Sequence, residues 1–572
     1  MRMMKKTLNI IMVALAALTL SSCKDFLDVQ PEGSPSVPTY FSNDDQAINA
    51  MKSIYAPSQY CDDLFGREIY WEQLAANAMV AGRTKDVSGT LFTFRWTGDE
   101  GPLTTCYKNL NLIIARCNWV VSSLLKKQKQ TELTAIETRT LGEAYFMRGF
   151  LHLTLAYRYG CKTQGAPFIK YEDFEGDYDY SIPPQLPTVM DNFAIVVDDF
   201  KQAEIYLPRF ETYGPDDRGR AHKAAAVALM ARAYAYWATF EDGSKAAELW
   251  NNVIACVNSL ENNYGRALAP SFTKLFSVDF NDFWTSEYCF SFPSNGGSRP
   301  KCGGIEWTGV IMDKNGWGGY GGWGQFKPSL DIYLEFQKDG KAIDADGKPI
   351  KDAYGKLVNE RLATSILEYG QEFQYYGMTK KYYDAGDIPS GFQINKWMQP
   401  FESADPIGDE YVNSNTDYPC CRVNFHVIRF AECLLLRAEA NLWLGNQAAA
   451  AKDMNAVRAR VNLPECAGTW TDLYHERMCE LAFEPTVDHA YDIKRWAVYG
   501  PAEIKNLAVA EITKHPDART PDDKTNPAST YKDGPYPDYL IEKEWADYKI
   551  CFPYPSTEIT NSAGTYKQNP GY

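Results

Sequence analysis

Histidine is scarce, six in 572 residues, and none stands where a nucleophile and its base would need it. The GxSxG, HExxH and phosphate-loop patterns are missing. So are CxxC pairs and His clusters with zinc-ligand spacing. Those absences remove the motif-bearing hydrolases, kinases and zinc enzymes. A glycoside hydrolase needs only two carboxylates across a groove, which composition does not exclude. At this size, however, such an enzyme is more often a barrel of alternating strands and helices. Positive charge is also short: 58 Lys and Arg against 73 Asp and Glu leave a formal charge of −15. Nucleic acid, whose phosphates want a basic surface, is an unsuitable partner. Beyond the first twenty or so residues, no apolar run is long enough to span a bilayer.

The first residues supply what the rest lacks. Arg2, Lys5 and Lys6 precede "LNIIMVALAALTL", an apolar stretch of signal-peptide length. It runs into "LSSC", where small residues admit the peptidase and the Cys23 thiol receives lipid. Residues 1–22 are therefore expected to be cleaved, leaving 23–38 as a lipidated, Pro- and Ser-rich tether. The membrane is reached through that anchor, whose acyl chains contribute ~0.8 kcal/mol per buried methylene. With the three leader cations gone, the formal charge is −18. Of the fourteen cysteines, Cys117, Cys256, Cys433 and Cys479 sit in helical apolar patterns and read as small buried hydrophobes. Cys420 and Cys421 are vicinal, a spacing that rarely bridges.

The mature chain, roughly 550 residues, is long enough for one large core, and 39–572 reads as a single domain. Helical periodicity dominates 39–264. "DDQAINAMKSIYAPS" spaces Ala47, Met51 and Tyr55 one turn apart, and "CYKNLNLIIARCNWVVSSLL" repeats apolar residues every three or four. "TELTAIETRTLGEAYFMRGFLHLTLAYRYG" ends at Gly160, a candidate left-handed helix terminator. "GRAHKAAAVALMARAYAYWATF" is packed with Ala. Consecutive pairs of such helices suggest tetratricopeptide-like stacking, although no strict 34-residue period is visible. Helical pattern returns over 426–572. Trp237, Trp443 and Trp496 fall on helices and are expected in the core. Arg429, Glu432 and Glu439, like Arg477 and Glu480, have helical spacing that suggests internal salt bridges. Between the two helical parts, 265–425 is dense in Gly, Pro, Asn, Asp, Trp and Tyr, and reads as long ordered loops with short strands. Its aromatic content argues against disorder. The expected fold is mainly α, with a loop-rich insertion.

Several stretches together resemble the SusD/RagB group of outer-membrane lipoproteins. They are "CKDFLDVQPEG", "EAYFMRGFLHLTLAYRYG" with "GAPFI" after it, "GRAHKAAAVALMARAYAYWA" and "VIRFAECLLLRAEANLWLGN". "ERMCELAFEP…DHAYDIKRW" and the terminal "PYPSTEITNSAGTYKQNPGY" complete the set, in the family's order, with Val487 and His489 departing from its pattern. The resemblance implies four tetratricopeptide-like helix pairs under a loop-rich region. It also implies capture of a glycan at the cell exterior, a lid role on a SusC-like TonB-dependent transporter, and no catalysis.

Sugars present C–H patches on their ring faces and hydroxyls at their edges, so aromatic faces meet the first and Asn, Asp, Gln or Arg the second. A ring contact contributes about 1 kcal/mol beyond area burial, and a hydrogen bond to a charged group roughly 1.5–3 kcal/mol. "NGWGGYGGWGQF", residues 315–326, carries rings on a flexible backbone. Trp317, Tyr320 and Trp323 are its candidate platform, with Trp307 of "GIEWTG" extending it. A second candidate is "RWTGDEG", with Trp96 and Asp99, and Arg83 of "AGRTKD" nearby. Peptide cargo is the alternative to glycan. No cofactor is expected; a structural calcium among the Asp residues of 344–347 rests on one short run.

Overall fold

The computed structural model describes residues 40–59, 79–81, 90–91, 93–169, 182–276, 284–293, 326–375, 378–383, 390–396, 424–484, 489–523, 529–535 and 543–572. Local chemistry starts the helices. α1 is Asp44–Gln59 and α2 is Gly101–Gln128, which has proline in its first turn. α3, Ala135–Tyr159, opens with a capping box: Thr134 accepts from the Glu137 amide and Glu137 returns the bond. α4, Val189–Tyr206, does the same with Thr188 and Asp191. α5 is Lys223–Thr239 and α6 is Gly243–Asn262.

Each helix from α2 to α6 packs on the next. α3 and the Ala-rich α5 are buried nearly all round, so they are the inner helices of the stack. α2 buries one stripe at helical spacing: Leu103, Cys106, Leu110, Ile113, Cys117, Val121 and Leu124. Gly160 does end α3, but at φ −94°, outside the left-handed region. It is small because a Cβ there would stand 2.8 Å from both Ala156 O and Val189 Cγ2. Close approach of α4, not backbone freedom, requires it.

The second helical part comprises α9 (Phe430–Trp443), α10 (Gln447–Arg460), α11 (Trp470–Glu480), α12 (His489–Tyr499) and α13 (Ala502–Thr513). Short α14, Ser556–Asn561, follows near the terminus. α9 packs on α5 and α6 and so joins the two parts. As expected, Trp496 is fully buried, and Trp237 and Trp443 pack on the core. Cys117, Cys256, Cys433 and Cys479 are all buried thiols. Among the described residues, no helix is long and apolar enough to cross a membrane.

Between these parts the described chain makes two short helices, α7 (Leu330–Gln337) and α8 (Glu360–Ser365). The strands here are β2 (Tyr288–Phe292), β3 (Phe326–Pro328), β4 (Ile366–Glu368), β5 (Glu372–Tyr375), β6 (Met378–Lys381), β7 (Phe392–Ile394) and β8 (Phe425–Arg429). With β1 (Met79–Ala81), β9 (Asp517–Pro521) and β10 (Tyr531–Pro535), the strands pair only two at a time: β1 with β3, β2 with β8, β4 with β7, β5 with β6, β9 with β10.

A buried ionic network locks this middle segment to α9–α11. Arg429 donates to Glu287 (2.7 Å), Glu480 (2.6 Å) and Glu484 (2.8 Å), and Lys396 to Glu484 (2.7 Å). Arg460 pairs with Glu287 and Glu480, Arg361 with Asp339 and Glu476, and Arg458 with the same two acids. His475 bridges Glu335 (2.7 Å) and Asp339 (2.9 Å). The residues expected to pair do so internally, but with partners on other elements rather than at i, i+3 or i, i+4 among themselves. Glu432 pairs with Arg232, Glu439 with Arg495, and Arg477 with Asp492. Charges this deep need partners on every side, and one helix face supplies too few.

Candidate functional site

β1 and β3 run antiparallel with Ala81 opposite Phe326, Val80 opposite Lys327 and Met79 opposite Pro328. Ala81, the last residue of β1, and Phe326, the first of β3, therefore stand at the same end of one two-stranded sheet. The β3 side is firmly held. Phe326 is buried, and Lys327, also buried, donates to the Tyr382 hydroxyl at 3.3 Å. Ser329 then caps α7 by accepting from the Ile332 amide at 3.2 Å. Tyr333 of α7 stacks on Phe392 of β7, 4.4 Å between ring centres. Arg83, Trp307, Trp317, Tyr320 and Trp323 themselves, like Cys23, lie outside the described residues.

Trp96 is corrected: it belongs to the core. Its ring is 3% exposed, and its Nε1 donates to the Tyr572 hydroxyl at 2.7 Å. That hydroxyl donates in turn to the Cys551 carbonyl at 2.8 Å. Phe94 and Phe552 flank the ring at 5.0 and 5.2 Å. The loop is pressed onto the C-terminal segment: the Ser556 amide donates to Gly98 O, and a Cβ on Gly98 would sit 2.7 Å from Tyr554 O. A ring so covered presents no face to a ligand. Asp99 of the same loop is exposed and keeps its carboxylate at the surface.

Asp344 of the "DADG" run closes a turn, its Oδ1 accepting from the amides of Asp346 (2.9 Å) and Lys348 (3.0 Å). Asp352 repeats the device eight residues on, with Tyr354 and Lys356. This run is accounted for by turn chemistry without an ion. Asp339, His475 and Glu476 converge closely enough to hold a metal, but the arginines already occupy that place. Asp339 accepts from Arg361 (2.7 Å) and Arg458 (3.0 Å). Burial opposes charge on His475, yet Cys479 and then the carboxylates of Asp339 and Glu335 raise it well above the usual imidazole range. Both ring nitrogens then carry protons, and neither lone pair is left for a metal.

Local sequence did not reveal a cleft of about 570 Å³ where residues 163–164 and 182–187 meet the C-terminal segment. Thr163, Gln164, Ile182, Tyr566 and Lys567 are among its walls. Polar bonds hold its two sides together: Tyr566 donates to Pro183 O at 2.7 Å, and Gln185 exchanges bonds with the Lys567 backbone at 2.8 and 3.0 Å.

Comparison with known proteins gives concordant matches along the chain. The model of the SusD family matches residues 285–572, and one described as "Starch-binding associating with outer membrane" matches 25–235. A SusD-like protein of Bacteroides ovatus is 22% identical, covering 98% of this chain and 97% of its own. The crystal structure of a SusD-like protein from Bacteroides fragilis superposes with a TM-score of 0.70 at 19% identity, over 93% of this chain and 98% of that one. Surface glycan-binding protein A from Bacteroides thetaiotaomicron, in complex with laminarihexaose, gives 0.63 at 17% identity, over 92% and 99%.

Proposed function

The chain belongs to the SusD family, and from that premise we propose that it captures a glycan at the outer membrane and passes it to a transporter. The observation that carries the reading is the β1–β3 pairing. It sets Ala81 and Phe326, the described residues that flank the Arg83 segment and the Trp- and Gly-rich segment, side by side. That supports the reading that a cation and several rings serve one site, as a sugar with edge and face contacts needs. The laminarihexaose held by the B. thetaiotaomicron neighbour supports the same class of cargo. The second family match, through its name, supports association with the outer membrane. Lipid on Cys23 supplies the anchor in this reading. A SusC-like TonB-dependent transporter is the partner over which the protein acts as a lid. It performs no catalysis.

Affinity electrophoresis tests this with the full chain carrying Cys23→Ala, which removes the lipid, in native gels each containing one polysaccharide. Retardation by one glycan is expected. Trp317→Ala and Trp323→Ala should each weaken it about five-fold, the equivalent of about 1 kcal/mol for a lost ring contact. Retardation that survives both substitutions moves the site off residues 315–326. No retardation across a broad panel, with binding of a peptide mixture instead, overturns the glycan reading.

A further inference from the structure

Two cysteines far apart in sequence meet where the C-terminal segment crosses the end of α3. Cys161 follows that helix by two residues, and Cys551 begins the stretch that lies along it: the Phe552 amide donates to Arg158 O at 2.6 Å. One carboxamide touches both sulfurs. Asn569 Nδ2 is 3.3 Å from Cys551 Sγ, and Asn569 Oδ1 is 3.6 Å from Cys161 Sγ. The same Nδ2 donates to Tyr159 O and Phe552 O at 2.8 Å each, so the three residues are clamped in register. Cys161 is half-buried, whereas Cys551 is fully buried behind it. Thr163, 3.5 Å from Cys161 Sγ, lines the 570 Å³ cleft. Cys161 therefore offers a small thiol reagent the more accessible of the two sulfurs.

We propose that Cys161 and Cys551 are a redox-responsive pair that closes to a disulfide when the folded protein meets a small disulfide-bearing oxidant. The chemistry is exchange. The Cys161 thiolate attacks one sulfur of the oxidant, a new S–S bond forms, and the first thiolate leaves and takes up the Cys161 proton. Cys551 then loses its proton and attacks Cys161 Sγ, expelling the second thiol. Two protein thiols are oxidised and one disulfide becomes two thiols. A hydrogen bond from Cys551 is the largest influence on Cys161; against burial, and with help from Thr163, it lowers that thiol to about 6. Attack from Cys161 is thereby favoured at neutral pH. A second contacting pair, Cys289 and Cys433, provides the contrast. Both are fully buried, and burial first, then the bond to Cys289, holds the Cys433 thiol well above its usual range. That pair is expected to stay reduced.

The bridge would staple the C-terminal segment to the helical stack, and through Tyr572, which bonds both Cys551 O and Trp96, steady the loop that carries Asp99. The inference does not depend on which cargo is bound. To test it, the full chain is incubated with oxidised glutathione, quenched with N-ethylmaleimide, digested without reduction and mapped by mass spectrometry. A Cys161–Cys551 cross-linked peptide is expected, with Cys289 and Cys433 unmodified until the protein unfolds. Oxidation should raise Tm by about 5 °C and dithiothreitol should reverse the rise. In Cys551→Ser, glutathione should accumulate on Cys161 with no rise in Tm. Should that variant not fold, Cys161→Ser, at the more exposed position, must leave Cys551 unoxidised and Tm unmoved. Full alkylation of both thiols after oxidation, a lasting glutathione adduct on Cys161 in the wild type, or cross-linking of Cys289 to Cys433 in its place would each overturn the proposal.

Discussion

Trp96 takes its role from a hydroxyl 476 residues away. Trp96→Phe removes the donor to Tyr572 and leaves a gap where the larger indole packed, so stability should fall by roughly 1–3 kcal/mol while retardation by glycan stays at the wild-type level. Chemical denaturation beside native electrophoresis reads both; a loss of glycan binding with unchanged stability would return Trp96 to the ligand site. Local sequence could not reveal this. "RWTGDEG" has the composition of a surface loop, and what covers its ring arrives from the last residues of the chain. Arg429 is a similar case. Its spacing with Glu432 and Glu439 suggested a helix, but it is the last residue of β8, just before α9. Its carboxylate partners Glu287, Glu480 and Glu484 stand on two other stretches. Gly165 was legible as part of a Gly-x-Pro turn, though not the reason for it. A Cβ there would lie 2.4 Å from Thr188 O and 2.7 Å from Asn192 Oδ1. Asn192 cannot yield, because it also holds the Ala166 amide and carbonyl at 2.8 and 3.0 Å. Gly165→Ala should therefore cost roughly 1–3 kcal/mol, seen as a lowered denaturation midpoint with unchanged slope.

The helices could be read from sequence because what makes them is local. Apolar residues recur within one turn, and the boxes that start α3, α4 and α11 each lie within four residues. In the last, Thr469 Oγ1 accepts from the Asp472 amide at 3.1 Å and Asp472 accepts from the Thr469 amide at 2.9 Å. Thr469→Ala should cost about 1 kcal/mol and Thr469→Ser much less. Equal losses in the two would mean that the methyl group, not the hydroxyl, matters there. The strands were legible only as a class. β1, β3, β4 and β7 are three residues long, too short for an alternating pattern to declare itself. Their partners lie far along the chain, Ala81 opposite Phe326 and Ile366 opposite Ile394. That the middle of the chain would be loops with short strands followed from Gly, Pro and aromatic density. Which loop ends would be neighbours did not, and that neighbourhood is what the functional reading stands on.

For the whole molecule, the decisive feature is the charge buried between the middle segment and α9–α11. Six acids (Glu287, Glu335, Asp339, Glu476, Glu480 and Glu484) face six cations (Arg361, Lys396, Arg429, Arg458, Arg460 and His475). Burial alone would raise Glu335, Asp339, Glu480 and Glu484, but His475 beside the first two and the arginine and lysine partners outweigh it. Glu484 is lowered from 4.5 to about 2, and Glu480 and Asp339 fall further below the carboxylate range. A carboxylate lowered in the folded state contributes stability that is complete above its unfolded pKa and is lost as pH falls through the folded one. For Glu484 alone that is on the order of 3 kcal/mol, lost between about pH 4.5 and 2. His475 has the opposite sign. Raised in the fold, it contributes fully below about pH 6.5 and progressively less as pH climbs towards its folded value. Tm should therefore collapse towards pH 2, with the acid loss starting below about pH 6.5 because burial also holds the His222 and His426 imidazoles below their usual range. His475 eases Tm down on the alkaline side. Added salt should change this little, because the pairs are dry and Debye screening acts mainly on exposed charge. Calorimetry from pH 2 to 9 reads the profile, and His475→Gln should flatten the alkaline limb while leaving the acid limb in place. A Tm that holds constant from pH 5 down to 2 would mean that the network is not what joins the loop-bearing segment to the helices.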